Sequence, residues 1–132
     1  MKIIICVNDN SGILFNNRRQ SQDKAIIKKI SELTKGHKLW IRNFSRILFK
    51  GNITVDEDML MKAEADDFCF VEDVSVMEYA DRVDTAYIFK WNRVYPADIK
   101  LDIDVEKLFH LESTEVFTGN SHEKITLERW LK

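Results

Sequence analysis

The chain has 132 residues, 45% hydrophobic and 32% charged, the balance expected of one soluble globular domain with a moderate core. No apolar run approaches the roughly 18 residues of a membrane span, and the opening "MKIIICVNDN" is too short in its apolar part, with no cleavage site following, for a secretory leader. The net charge of −2 hides an asymmetry: residues 1–50 carry 11 Lys/Arg against 3 Asp/Glu, and residues 51–132 carry 9 against 19.

In chain order, "KIIICV" (2–7) is a near-continuous apolar run, as expected of a strand covered on both faces. "NDNSG" (8–12) is a turn cluster, and "ILFNNRRQ" reads as a loop. Ser21 is placed to cap a helix running to about Leu33. "HKLWI" (37–41) predicts a second short strand and "NFSRILF" (43–49) a short helix ended by Gly51. "ITVDEDMLMKAEA" (53–65) reads as a strand and short helix. "FCFV" (68–71) reads as a buried strand and "SVMEYAD" (75–81) as another short helix. "TAYIFKW" (85–91) predicts a long strand, and "YPADIKLDID" (95–104) a loop with an edge strand. "FHLESTEVFTG" (109–119) and "HEKITLERWL" (122–131) alternate strongly around "TGNS", a hairpin signal. The sum is one α/β domain over 1–132: a mixed, mostly parallel sheet with flanking helices and a C-terminal antiparallel hairpin. Cys6 and Cys69 lie in apolar strand-like runs, as buried thiols of a cytoplasmic protein do.

Several strings resemble dihydrofolate reductase. "YADRVDTAYIFKWNRVYPADIKLDID" follows that family's cadence of helix end, strand, loop and acidic stretch, through Arg82 to Tyr87 and Ala97 to Asp102. "VNDNSGILFNN" resembles its first strand and mobile loop, with Gly12 and Asn16 in matching places. The resemblance spans most of the chain and implies the family's fold. It implies that Asp23 stands where bacterial members carry their active-site carboxylate. It also implies that Arg42 and Ser45, in "LWIRNFSRILF", stand where a cofactor phosphate is held. Glu72-Asp73 replaces the paired glycines expected there. Two Cβ atoms and two carboxylates beside a pyrophosphate argue against normal NADPH binding. A weaker resemblance, in "RRQSQD" and "SHEKIT", is to small proteins labelled ribonuclease Z, whose His-x-His-x-Asp-His metal cluster is absent.

The residues themselves raise further candidates. On a helix, Asp23 shares a face with Ile27 and Ile30; desolvation there predicts a raised pKa, suited to proton delivery to a heterocycle. The alternative is a first-turn acid that favours the helix dipole. Arg18 and Arg19, in "NNRRQSQ", have the fork geometry for phosphate or carboxylate groups. With Arg42 and Ser45 at a helix start they predict a cationic cofactor pocket; the alternative is a solvated surface. "KWNRVYP" (90–96) mixes aromatic and basic side chains that could stack on bases. His122 and Glu123 have no second His at metal-ligand spacing, so His122 reads as structural.

Three readings stay open. One is a dihydrofolate reductase-like oxidoreductase, intact or degenerate, holding a pterin- or nucleotide-like ligand, anionic or heterocyclic, near Asp23. The second is a non-catalytic module for nucleic acid or a protein partner, a phage or host inhibitor among them. The third is a small RNA-binding protein or nuclease working through the basic N-terminal segment. No metal and no membrane partner is expected.

Overall fold

The computed structural model describes residues 1–132. Its main sheet has seven strands in the order β5-β4-β6-β1-β7-β10-β9. These are β1 (Lys2–Val7), β4 (Leu39–Ile41), β5 (Thr54–Val55), β6 (Phe68–Phe70), β7 (Thr85–Lys90), β9 (His110–Phe117) and β10 (Ile125–Leu131). From β5 to β7 the pairing is parallel; β10 runs antiparallel to β7, and β9 antiparallel to β10. A second sheet joins β3 (Arg18–Arg19), β2 (Gly12–Phe15) and β8 (Ile99–Lys100), all antiparallel.

The apolar run of β1 makes it the central parallel strand, because both of its faces are covered. Ile3, Ile5 and Val7 enter one core cluster, while Ile4 and Cys6 face the other. The same alternation divides β7: Ala86 and Ile88 join the first cluster, Tyr87 and Phe89 the second. Helix α1 (Lys24–Leu33) buries Ile26 and Ile30 against the second face, beside Ile4, Phe70, Phe89 and Trp91. The other face is covered by α2 (Met59–Lys62), through Met59 and Leu60, and by Val76, Val83, Ile103 and Phe109. The last of these follows α3 (Val105–Leu108). No helix is long and apolar enough to cross a membrane.

Two local expectations are corrected and two are refined. The stretch "ILFNNRRQ" is a hairpin rather than a loop: Asn16 and Asn17 both adopt positive φ (49° and 59°), the backbone a two-residue turn of this hand requires. The helix cap is Asp23, with an extended backbone and its carboxylate accepting from Ala25 N–H, and not Ser21. The short helices expected at 43–49 and 75–81 are 3₁₀ helices, Asn43–Leu48 and Met77–Arg82. The edge strand expected within 95–104 is β8, which pairs with β2 at the edge of the small sheet.

The basic first half and the acidic second half of the chain meet in ion pairs. Arg19, Lys29 and Arg42, all from the basic half, pair with Glu72, Glu115 and Asp73 from the acidic half. Trp91, offered as a base-stacking group, is buried, with its ring stacked 4.7 Å from that of His122.

Ile30 is fully buried, whereas Ile47 is 81% exposed. We expect Ile30→Ala to lose about 2–5 kcal/mol in urea unfolding and Ile47→Ala to stay within about 0.5 kcal/mol of the parent.

Candidate functional site

Two buried carboxylates, Asp23 and Glu72, organise the region where the N-terminus of α1 meets the carboxyl ends of β6, β1 and β7. Asp23 is an acceptor for five donors. Oδ1 takes the N–H of Ala25 at 2.9 Å and of Asn120 at 2.8 Å. Oδ2 takes the N–H of Ser121 at 2.9 Å, its hydroxyl at 3.2 Å and His122 Nδ1 at 2.9 Å. Gly119 allows this approach: a Cβ there would lie 2.6 Å from Asp23 Oδ2 and 2.8 Å from the His122 carbonyl oxygen.

Burial alone would raise the pKa of Asp23, as its place beside apolar residues predicts. The hydrogen bonds from Asn120, Ser121, His122 and Ala25 outweigh it and hold the group far below the usual carboxylate range. The expectation of a raised pKa is therefore corrected. Asp23 is a permanently ionised anchor at neutral pH, and it carries no proton to deliver.

The raised carboxylate is Glu72. Burial pushes its pKa up, and the hydrogen bonds from Arg19 and Ser45 and the charge of Arg19 offset this only in part. Oε1 receives Arg19 Nη2 at 2.7 Å, Arg19 Nε at 3.1 Å and the Ser45 hydroxyl at 2.7 Å. Arg19 also donates to the Phe44 carbonyl at 2.6 Å and lies over the Phe44 ring. One residue on, Asp73 Oδ1 receives Arg42 Nε at 3.1 Å. Arg42 is further tied to the Glu57 carbonyl, and Glu57 Oε2 takes the N–H of Asn43 at the start of the 3₁₀ turn.

The candidate anion-binding groups thus converge, but on internal carboxylates. Arg19 and Ser45 are engaged by Glu72, Arg42 by Asp73 and Glu57. Arg18 does not join them. It is adjacent to Arg19 in β3, so the two side chains leave opposite faces of the strand; Arg18 is exposed and lines, with Arg19, Tyr95 and Pro96, a second hollow rather than the cleft.

Between the two carboxylates lies a cleft of about 570 Å³. Its apolar walls include Ile26, Ile27, Leu48, Phe70 and Trp91; Cys6, Arg19, Asp23 and Glu72 are at its polar parts. Lys24 and Lys50, both exposed, stand at its edge. Cys6 is no thiolate nucleophile, because burial pushes its pKa far above the usual thiol range. No cluster of three or more His, Cys, Asp or Glu side chains is arranged to hold a metal ion.

No family model matches the chain, and no curated protein matches it in sequence. Its structure is similar to that of the dihydrofolate reductase from Enterococcus faecalis complexed with NADP(H) and RAB-propyl. The TM-score is 0.71 at 11% identity, with 98% of this chain and 94% of that one covered. The fold is dihydrofolate reductase-like.

Within this dihydrofolate reductase-like fold, Asp23 and Arg19 both line the cleft; Ser45 is joined to it through Glu72, and Arg42, tied to Asp73 and Glu57, is not among its lining residues. The sequence offers Ser21 as a helix cap and His122 as a structural residue; it does not reveal their contact. His122 Nε2 lies 3.1 Å from the Ser21 hydroxyl and 3.0 Å from the Tyr95 hydroxyl, while Nδ1 faces Asp23. No spacing rule could have found this group, since Asp23 and His122 are 99 positions apart. The one usable signal was the glycine before "NSHEK", a mark of close backbone approach.

The pKa of Asp23 is lower in the folded chain than in the unfolded one. Its contribution to stability is therefore complete above the ordinary value of about 3.8 and is lost as pH falls toward the folded value. We expect Asp23→Asn, which keeps one acceptor oxygen, to cost about 1–3 kcal/mol at pH 7 and to flatten the acid limb of a stability–pH curve measured by urea denaturation.

Glu72 has the opposite sign. A folded pKa above the unfolded one favours the protonated folded state, so its contribution is complete below about pH 4.5 and is lost as pH rises through the folded value. Glu72→Gln, which imitates the protonated form, should therefore gain stability relative to wild type as pH rises from 4 to 8. Glu72→Ala leaves the Arg19 charge buried without a partner and should cost about 3 kcal/mol or more, read by the same denaturation series.

Proposed function

We propose that residues 1–132 form a single dihydrofolate reductase-like domain that binds a small, flat, pterin- or nucleotide-like heterocycle without using it for NADPH-dependent reduction. One observation carries the reading: the cleft opens at the carboxyl ends of three adjacent parallel strands, β6, β1 and β7, through Phe70, Cys6 and Trp91. In open α/β sheets ligands bind beyond that edge, where the chain changes direction across the sheet. The apolar walls from Ile26, Ile27, Leu48 and Phe70 suit a planar ring, and a volume of about 570 Å³ is that of a small-molecule site. Lys24 and Lys50 make no ion pair and favour an anionic substituent at the mouth.

The dinucleotide that the fold family implies does not fit the residues present. Glu72 and Asp73 put two carboxylates where the family pattern has glycine. The donors that would take phosphate, Arg42 and Ser45, are hydrogen-bonded to the carboxylates of Asp73 and Glu72, and Arg42 also to the Glu57 main-chain carbonyl, with the Glu57 carboxylate 3.5 Å away as an ion pair. A pyrophosphate would have to displace three carboxylates, and its own charge would meet theirs. Asp23, ionised and fully hydrogen-bonded, is proposed as the carboxylate that holds the cleft wall in place.

Nucleic-acid binding through the basic segment has less support, because its arginines Arg19 and Arg42 are neutralised within the fold. The free thiols of Cys6 and Cys69 support a reducing, cytoplasmic setting.

The test is a thermal-shift panel of pterins, folates, mononucleotides, NADPH and short RNA. A ligand at about 100 times its Kd stabilises by about 2.7 kcal/mol, enough to move Tm by several degrees. We expect a pterin or mononucleotide to raise Tm, the cleft-filling variant Ile27→Arg to abolish the rise, and NADPH to do no better than a mononucleotide. A larger shift with NADPH, or a shift only with RNA that collapses as salt rises, would sink the reading.

A further inference from the structure

Ser21, His122 and Asp23 form a linear array that the cleft reading leaves unused. Asp23 is ionised and can only accept, so the proton of the imidazole lies on Nδ1, 2.9 Å from Oδ2. In the neutral ring Nε2 then keeps its lone pair, and the hydroxyl of Ser21 lies 3.1 Å from it. The ring cannot swing away: its side chain is 3% exposed, it stacks on Trp91, and the Asp23 carboxylate is fixed by three backbone N–H groups. Ser21 is half-buried and forms part of the cleft wall, so its oxygen is reachable from the side where a small molecule would enter.

A hydroxyl facing an imidazole that a buried carboxylate orients is the arrangement that activates an oxygen nucleophile. Lys24 N–H, at the first residue of α1, makes no backbone hydrogen bond and adds the positive end of the helix to this region.

We propose that Ser21 is a nucleophile, with His122 as its general base and Asp23 as the residue that positions the imidazole, and that the site acts on a carboxylic ester small enough to enter the cleft. Oγ of Ser21 attacks the carbonyl carbon while its proton passes to Nε2. His122 returns that proton to the departing alkoxide, leaving an acyl-serine. Water, deprotonated at the same Nε2, then cleaves the acyl–oxygen bond, and the proton goes back to Ser21. No metal, redox partner or dinucleotide is needed.

Tyr95 makes the assignment testable. Its hydroxyl lies 3.0 Å from the same Nε2 and competes with Ser21 for the one lone pair. Removing it leaves the lone pair to Ser21.

The experiment is labelling of the folded protein with diisopropyl fluorophosphate, followed by mass spectrometry of peptides and by rate. In that reaction the Oγ–P bond forms, the P–F bond breaks, fluoride leaves and the proton passes to His122. The expected results are one phosphoryl group on Ser21, none on Ser21→Ala, and a rate at least about 100-fold lower in His122→Gln. In Tyr95→Phe the rate rises severalfold. No labelling, labelling elsewhere, or a Ser21 rate that His122→Gln leaves unchanged overturns the proposal. If His122→Gln does not fold, Tyr95→Phe decides: a rise supports it, and an unchanged or lower rate overturns it. Labelling needs no heterocycle in the cleft, so its outcome and that of the thermal-shift panel are read independently.

Discussion

The carboxylate of Asp23 ties the two ends of the chain together. It caps helix α1 and, through the N–H groups of Asn120 and Ser121 and the ring of His122, fastens the β9–β10 loop to that helix. A buried charge is tolerable only when hydrogen bonds replace its lost water, and here five do. That requirement fixes the path of residues 119–122, the glycine at the closest approach, the tautomer of His122, and so the group that faces Ser21. It also joins α1 and the loop, which both line the cleft.

Glu72 solves the related problem in the opposite way. It is buried at the end of β6 with one strong ion pair and one hydroxyl, which compensate its desolvation only in part. Arg19, which could have received an external anion, is consumed in doing so. In physical terms the region behaves like an anion site that carries its own anion on the chain. The uncommitted groups of the cleft are its apolar walls and the two lysines at its edge.

A dihydrofolate reductase-like fold at 11% identity shows how little of a particular sequence the architecture requires. The sheet order needs only covered faces on β1 and β7 and an apolar stripe on α1, and many sequences provide those. The site depends on single polar groups at strand ends, which can change without disturbing the sheet.

Much of the architecture was legible in the residues alone. Apolar runs at 2–7, 68–71 and 85–91 announce buried parallel strands, and the alternation at 109–131 announces a hairpin, because strand burial imposes a period on the side chains that any reader can count. The Asn16-Asn17 hairpin was legible too, through its turn chemistry, and was passed over. What the residues could not disclose is the sign of the Asp23 pKa and the membership of His122. Apolar spacing on α1 predicts desolvation of Asp23, but the donors that reverse the effect come from residues 120–122, brought there only by the closing of the sheet. Local sequence determines which faces are buried. Which polar groups meet across nearly a hundred residues is decided by tertiary structure, since hydrogen bonds act over about 3 Å and carry no trace along the chain.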